Sequence, residues 1–164
     1  MTLFFLILLA ETESDYTYVH MQTPALSLHL MDDTRPAALV HRADSMVSAG
    51  FPSPADDYLE DRIDLTRELI QNPTATFLAR VRGESMRDAG LSDGDLILID
   101  RSRTPRPGNM VLAWVDGGFT VKFLHQQQNE YSLKAANPDY PDIQMQEDGD
   151  SHIWGLVTYV IRKT

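Results

Sequence analysis

Cysteine is absent from the 164-residue sequence. Its absence excludes disulfide scaffolds, thiolate zinc sites and cysteine nucleophiles. Basic residues are few, because 14 lysines and arginines stand against 24 acidic residues and give a formal net charge of −10. This balance argues against a protein that binds nucleic acid mainly by neutralising phosphates, which requires a basic surface. Hydrophobic residues make up 43% of the chain, a share typical of one globular domain at this length.

Long apolar runs are also missing. The apolar segment from Leu3 to Ala10 is far shorter than the ~20 residues that span a bilayer. No basic residue precedes it and Glu11 follows it, whereas a secretory signal has a positive start and a small-residue cleavage site. We therefore expect a cytoplasmic protein without a membrane-spanning segment.

The composition changes near residue 50. Residues 1–49 carry six acidic and two basic residues and show no sustained strand or helix period; only residues 34–46 indicate a short helix. A turn-prone segment, Gly-Phe-Pro-Ser-Pro at 50–54, follows. We predict an extended N-terminal arm over residues 1–49 and a β-rich domain over residues 50–164.

The pattern after residue 50 predicts a mainly β fold. Short β-rich segments bounded by glycine, proline and aspartate predict strands at 74–81, 96–99, 110–115, 119–124, 131–135 and 154–161. Asp116-Gly117-Gly118 predicts a hairpin turn, and one helix is predicted over 65–71. Strands this short and this closely spaced favour a small folded sheet or partial barrel.

Two residues could carry chemistry. Ser85 follows a predicted strand within Gly-Glu-Ser-Met, a corner where a nucleophile is exposed and can use backbone N–H groups of the turn as an oxyanion hole. Lys122 lies within the apolar segment Phe-Thr-Val-Lys-Phe-Leu at 119–124, and strand alternation places it on one face with Thr120 and Leu124. Desolvation there would lower its pKa, as a lysine general base requires.

Spacing alone leaves other interpretations open. A serine in a turn is more often structural than catalytic, and a single strand lysine more often faces solvent. A Ser-His-Asp triad using His125 or His152 is conceivable, although the spacing does not favour it. The acidic residues of 90–95 are too few and too close for an EF-hand, and no metal or other cofactor is expected.

Several motifs in one order carry a family resemblance. They are Ala-Gly-Phe-Pro-Ser-Pro-Ala-Asp-Asp-Tyr at 49–58, Arg-Ile-Asp-Leu at 62–65, Gly-Glu-Ser-Met at 83–86, Ser-Asp-Gly-Asp at 92–95 and Phe-Thr-Val-Lys at 119–122. Together they closely resemble the UmuD/MucA group of SOS mutagenesis proteins, which belong with the LexA-type self-cleaving serine proteases. The resemblance runs in one register from Ser48 to about Ile161, around two-thirds of the chain.

The resemblance implies a LexA/UmuD-like protease fold and a Ser-Lys dyad. Ser85 would be the nucleophile and Lys122 its general base, with the backbone N–H groups of Ser85 and Met86 as oxyanion donors. The bond cleaved would be Ala49–Gly50, at the boundary found from composition. The product, residues 50–164, is expected to keep all the strands.

The resemblance also implies a role and partners. In this family a RecA filament on single-stranded DNA stimulates self-cleavage after DNA damage. The shortened protein, as a homodimer, joins a UmuC-like Y-family polymerase for translesion synthesis, without sequence-specific DNA binding or a membrane. One alternative is a non-catalytic β-rich dimer that binds the polymerase. A LexA-like repressor is less favoured, because the acidic first 49 residues do not supply a basic recognition helix.

Overall fold

The computed structural model describes residues 28–30, 39–43, 59–146 and 149–164. Ala49 and Gly50, and the apolar segment Leu3 to Ala10, lie outside the described residues. In chain order the described elements are β1 (Leu28–Leu30), β2 (Leu39–Ala43), β3 (Leu59–Asp64), α1 (Leu65–Leu69), β4 (Thr76–Arg80), β5 (Leu96–Asp100), β6 (Met110–Val115), β7 (Gly118–Gln127), β8 (Glu130–Lys134), β9 (Ile143–Gln144) and β10 (His152–Ile161), with 3-10 turns at Pro73–Ala75 and Arg87–Ala89. The prediction of a mainly β fold is confirmed.

The larger of two compact units is built on one antiparallel sheet. It comprises β1 and the described residues of Asn72–Thr164. The strand order is β1-β4-β5-β10-β6-β7-β8-β9, and the sheet is not closed. Every strand predicted between residues 74 and 161 is present, with its ends shifted by a few residues.

Apolar side chains lie on both faces of this sheet because strand residues alternate in direction. In β6, Leu112 belongs to one buried cluster, which also contains Ile97 and Phe119. Its neighbours Val111 and Ala113 belong to a second cluster with Leu133. The central strands are therefore buried on two sides, a situation in which a charged side chain is costly.

The β6–β7 hairpin turns at Asp116 and Gly117. Both residues have positive φ, 49° for Asp116 and 83° for Gly117, as a two-residue type I′ turn requires. The ladder pairs Val115 with Gly118 and continues to Met110 with Phe123. The predicted hairpin is thus confirmed, and it places Lys122 opposite Val111.

An ion pair joins the half-exposed Arg162, which follows β10, to the buried Asp95, which precedes β5. The Arg162 guanidinium donates from Nε to Asp95 Oδ1 at 2.8 Å and from an Nη to Asp95 Oδ2. Asp95 is 5% exposed, and its Oδ2 also accepts from the Ser92 N–H at 2.8 Å. The hydrogen bond from Arg162 is the main reason that the pKa of Asp95 falls from 3.8 to about 2.

The smaller unit lies within Asp33–Gln71. Its strands β2 and β3 pair antiparallel from Leu39 with Asp64 to Ala43 with Leu59. Helix α1 follows β3 directly, and its N-cap Asp64 accepts from the Thr66 N–H at 3.0 Å, as short helices commonly begin. The predicted helix over 65–71 is confirmed as Leu65–Leu69.

Two expectations for the first 49 residues are wrong. The predicted short helix over 34–46 is replaced at Leu39–Ala43 by strand β2, because pairing with β3 satisfies backbone groups that an isolated short helix satisfies poorly. The product of a cut after Ala49 would not keep every strand, since β1 and β2 both precede that bond. A three-residue strand such as β1 carries too short a pattern to be found by period.

The helical content of the described ranges is low. None of the helices found there is long and apolar enough to cross a membrane.

Candidate active site

Ser85 lies in the loop that follows β4. The loop begins with the Val81 N–H donating to Asp95 O at 2.8 Å. At Gly83, φ is 94°, a conformation that favours glycine, and its N–H donates to Asp93 Oδ1 at 2.7 Å. These bonds fix the entry to the turn, and Ser85 follows just before the 3-10 turn at Arg87–Ala89.

Lys122 lies within β7 and is only 4% exposed. Its Nζ donates to Ser85 Oγ at 2.7 Å, to Thr120 Oγ1 at 2.9 Å and to the Val121 carbonyl oxygen at 3.1 Å. The structure thus brings together the two residues that the sequence singled out, although 37 positions separate them. The contact with Thr120 agrees with the predicted shared strand face.

The surroundings of Nζ suit both protonation states. An ammonium group has three N–H donors, and three acceptors lie within hydrogen-bond distance. A neutral amine keeps two N–H donors and one lone pair. It can donate to Thr120 Oγ1 and the Val121 carbonyl while its lone pair accepts the Ser85 O–H. This second arrangement is the one that a general base requires.

Burial lowers the pKa of Lys122 from 10.5 to about 8, because desolvation disfavours the ammonium form. A pKa of 8 leaves about one tenth of the lysine neutral at pH 7, roughly 300-fold more than at the ordinary value. Among the described residues, no carboxylate forms an ion pair with Lys122, although Glu84 precedes Ser85 in the chain. Within the described residues, no paired carboxylate therefore raises the pKa of Lys122 against the effect of burial.

Backbone donors are available at the serine. The Ser85 carbonyl accepts from the Ala136 N–H and the Glu84 carbonyl accepts from Asn137 Nδ2, both at 2.9 Å. No hydrogen bond runs from the N–H of Ser85 or Met86 to any residue in the described ranges. With their carbonyl groups already bonded elsewhere, these two peptide units leave their N–H groups open to an oxyanion.

A small cleft adjoins Ser85. Its lining comes from the Ser85 loop, β6 and β7. It combines apolar side chains with the polar residues Arg82 and Thr120: the apolar ones are Val81, Met86, Leu91, Leu112, Phe119 and Val121. The ring of Tyr140 lies near the other side of the dyad, with its centroid 6.0 Å from Lys122 Nζ. Tyr140 itself remains 42% exposed.

The alternative chemistries gain no support from these positions. No hydrogen bond joins Ser85 to His125 or His152 within the described ranges. A search of the same ranges finds no group of three histidines and acids that could hold a metal ion. Among the two histidines and the lysine considered from sequence, only Lys122 contacts Ser85.

Sequence reasoning missed two polar residues of the site. Thr120 was placed on the face of Lys122 but was given no role, although its hydroxyl is an acceptor for Nζ. Asn137 precedes a proline, and its Nδ2 donates to the Glu84 carbonyl at 2.9 Å. An asparagine before a proline is typical of turns, so the pattern does not distinguish one that also bonds to a distant carbonyl.

Comparison with known proteins gives one family and several relatives. The model of the Peptidase S24-like family matches residues 41–158, well over half of the chain. SamA of Salmonella typhimurium is 45% identical over 116 residues, covering 71% of this chain and 80% of SamA. MucA of Escherichia coli is 40% identical over 114 residues, covering 69% of this chain and 77% of MucA.

A repressor also matches. The LexA repressor of Halorhodospira halophila is 40% identical over 117 residues, which cover 71% of this chain but 51% of the repressor. The resemblance identified from the sequence motifs is confirmed by these matches.

Proposed function

Because the chain belongs to the S24-like peptidase family, we propose that it is a self-cleaving serine peptidase with a Ser85–Lys122 dyad. One observation carries the proposal: a lysine that is 4% exposed lies 2.7 Å from the serine hydroxyl oxygen. A solvent-facing lysine would have favoured the non-catalytic alternative. The substrate bond is Ala49–Gly50, which the sequence motif indicates.

The first half of the reaction forms an ester. Neutral Lys122 takes the proton of the Ser85 hydroxyl while Oγ attacks the Ala49 carbonyl carbon. The N–H groups of Ser85 and Met86 bind the oxygen that becomes negative. The ammonium of Lys122 then gives its proton to the Gly50 nitrogen, the C–N bond breaks, and the Gly50 amine is freed while residues 1–49 stay bound through Ala49 as an ester of Ser85.

The second half restores the enzyme. Lys122 is neutral again after it protonates the leaving amine, so it can take a proton from water. The resulting hydroxide attacks the ester between Ser85 and Ala49, and the ammonium returns the proton to Oγ. Both halves need the neutral lysine. Below its pKa of about 8, the rate is therefore expected to rise tenfold for each pH unit.

Cleavage would act as a switch between two forms of the protein. The cut separates β1 and β2 from the part that contains β3 to β10. Loss of β1 removes the strand that pairs with β4 at Leu28–Ala79 and Leu30–Phe77. The Ser85 loop and β7 lie wholly in the retained part, so the arm is removed without dismantling the dyad.

For the cellular role we propose an accessory subunit of an error-prone polymerase in the SOS response. The similarity to SamA and MucA supports it, since about four-fifths of each relative is covered. A RecA filament on single-stranded DNA would stimulate cleavage, and the shortened homodimer would join a UmuC-like polymerase in the cytoplasm. The acidic net charge of −10 fits a subunit that acts through proteins.

The repressor interpretation has weaker support. The match to the LexA repressor leaves about half of that protein without a counterpart. A repressor would also need a basic DNA-binding surface, and residues 1–49 hold only two basic residues.

Incubation with a RecA filament at neutral pH tests the proposed role. We expect the full chain to be converted to residues 50–164, whereas Ser85→Ala stays intact under the same conditions. Purified 50–164 should then bind a UmuC-like polymerase more tightly than uncleaved Ser85→Ala does. Cleavage without any gain in polymerase binding would support the peptidase and reject the polymerase role.

A further inference from the structure

Asn137 is a buried polar side chain that the mechanism above does not use. It is 5% exposed and lies in the loop after β8. Its Nδ2 donates to the Glu84 carbonyl at 2.9 Å and its Oδ1 accepts from the Asp139 N–H at 3.0 Å. The amide has a single orientation that satisfies both partners, because a carbonyl only accepts and an N–H only donates.

The same loop holds the Ser85 turn at two further points. The Ala136 N–H donates to the Ser85 carbonyl at 2.9 Å, and the Ala136 carbonyl accepts from the Asp88 N–H at 2.8 Å. Three hydrogen bonds from two adjacent residues therefore fix the turn before, at and after the serine. They bind the two carbonyl groups of the turn and so determine where the N–H groups of Ser85 and Met86 point.

Asn137 also organises the residues that follow it. Its bond to the Asp139 N–H closes a turn, and its own carbonyl accepts from the Tyr140 N–H at 3.1 Å. That turn carries the Tyr140 ring to a position 6.0 Å from Lys122 Nζ. The Asn137 side chain thus connects the loop that contains Ser85 with the turn that places the Tyr140 ring near Lys122.

We propose that Asn137 is a positioning residue for self-cleavage. It holds the Ser85 turn so that Oγ meets Lys122 and the two N–H groups face the developing oxyanion. The inference rests on the proposed peptidase function, and it adds a residue outside the dyad that sets the geometry of the reaction. Small displacements of such groups are costly, since a shift of about 1 Å can slow a reaction roughly 100-fold.

Asn137→Ala tests this role in the full-length chain. It removes both side-chain bonds, and we expect the maximal cleavage rate at high pH to fall about 10- to 100-fold. The midpoint of the pH profile should stay near 8, because β7 and its neighbours bury Lys122. Asn109→Ala is the matched control, since that asparagine accepts only a local backbone N–H, from Arg106 at 2.9 Å, and should leave the rate unchanged.

Asn137→Asp provides a second variant if the alanine chain does not fold. Aspartate keeps the size and the acceptor for the Asp139 N–H, but it places an oxygen against the Glu84 carbonyl. The loss of rate should equal or exceed that of Asn137→Ala. A folded variant of either kind that cleaves at the wild-type rate would overturn the inference. So would a fall in rate in Asn137→Ala with the pH midpoint moving towards 10.5, which would show that Asn137 only keeps the lysine buried.

A readout independent of cleavage separates this inference from the proposed function. The amide NMR signals of Ser85 and Met86 should shift in Asn137→Ala or Asn137→Asp and stay in place in Asn109→Ala. If wild type fails to cleave while these signals shift, the peptidase proposal fails and the structural link stands. If wild type cleaves and the signals stay in place, the positioning role is wrong.

Discussion

The larger unit contains two buried ionisable residues, Asp95 and Lys122, whose surroundings have opposite effects on the charged form. Asp95 is 5% exposed and meets an arginine that donates two hydrogen bonds, so its pKa falls to about 2 and the charged form is favoured. Lys122 is 4% exposed and forms no ion pair among the described residues, so desolvation lowers its pKa to about 8 and the ammonium form is disfavoured. Burial alone does not decide which form a group takes; a partner of opposite charge does.

The two sites therefore have opposite effects on the stability of the folded state. The Asp95–Arg162 pair stabilises the folded state, because removing Arg162 leaves the buried charge of Asp95 unpaired. Lys122 destabilises the folded state at neutral pH, because its ammonium form has lost water without gaining a carboxylate. A cost of this kind at a candidate catalytic residue is expected where a base must be neutral near its working pH.

The largest expected effect is a substitution in the core that stabilises the protein, whereas most core substitutions destabilise it. Lys122→Met removes the buried ammonium with little change in volume, and we expect the free energy of unfolding at pH 7 to rise by up to about 3 kcal/mol. The unfolded lysine holds its proton up to about pH 10.5 and the folded one up to about pH 8. The advantage of Lys122→Met should thus be full below pH 8 and shrink between pH 8 and pH 10.5.

Urea unfolding at pH 7 and pH 10 measures this difference, with Ser85→Ala present in every chain compared so that none cleaves itself. Lys134→Met is the matched control, because that lysine is 43% exposed and pairs with Asp142 at 3.6 Å; its substitution should change stability by less than about 0.5 kcal/mol. A loss of stability in Lys122→Met at pH 7 would mean that the three hydrogen bonds of Nζ outweigh desolvation.

Removal of the partner of Asp95 should instead lower the stability of the folded state. Arg162→Ala leaves the Asp95 carboxylate without its main donor, and we expect the free energy of unfolding at pH 7 to fall. The folded pKa of Asp95 lies below the unfolded value of 3.8. The pair therefore stabilises the fold above about pH 4, and this stabilisation is lost as the pH falls towards 2.

Thermal or urea unfolding of Arg162→Ala across pH 2 to 7 checks the sign. Arg87→Ala is a suitable control, since its pair with Asp88 is about half exposed on both sides and exposed pairs contribute little. A deficit in Arg162→Ala that persists undiminished at pH 2 would show that packing, not the ion pair, is responsible.

A carboxylate placed beside Lys122 should favour the ammonium form of the lysine, just as Arg162 favours the carboxylate form of Asp95. Thr120→Asp replaces the hydroxyl that lies 2.9 Å from Nζ with a charge that favours the ammonium form. We expect the pKa of Lys122 to rise by at least about one unit, so that self-cleavage at pH 7 slows roughly tenfold or more while the rate at high pH recovers.

Thr120→Asn is the control for Thr120→Asp, because it changes the shape of the side chain without adding charge. Its pH midpoint should stay near that of the wild type. Equal midpoints for the aspartate and asparagine variants would contradict the view that the lack of a carboxylate keeps the pKa of Lys122 low.

The smallest effect concerns the edge of the sheet. A cut after Ala49 removes β1, the partner of β4 at residues 77–79. Amide hydrogen exchange of this stretch should be faster in residues 50–164 than in uncleaved Ser85→Ala. Exchange in the β6–β7 ladder should be the same in both. Equal exchange at 77–79 would mean that β1 pairing does not protect β4.

Local patterns predicted much of the fold. The β6–β7 hairpin follows from Asp-Gly-Gly between two apolar strands, and the helix predicted over 65–71 is present as α1. Strands β1 and β2 were missed because each is short and is stabilised by a partner distant in the chain. Pairing of this kind leaves little trace in local composition.

The candidate site was only partly readable from sequence. Alternation placed Thr120 and Lys122 on one face, and the motifs singled out Ser85. The contact between Ser85 and Lys122 depends on how the β4–β5 loop folds back against β7, which no local pattern specifies. The role of Asn137 depends on a bond spanning 53 positions, so it became visible only in three dimensions.

Mass spectrometry of the intact chain tests the central claim most directly. Wild type, Ser85→Ala and Lys122→Ala are incubated at about pH 10, where a lysine of pKa about 8 is almost entirely neutral. We predict that a fragment beginning at Gly50 forms in the wild type and in neither variant. A wild-type chain that stays intact, or a Lys122→Ala chain that yields the same fragment at the same rate, would contradict the Ser85–Lys122 dyad.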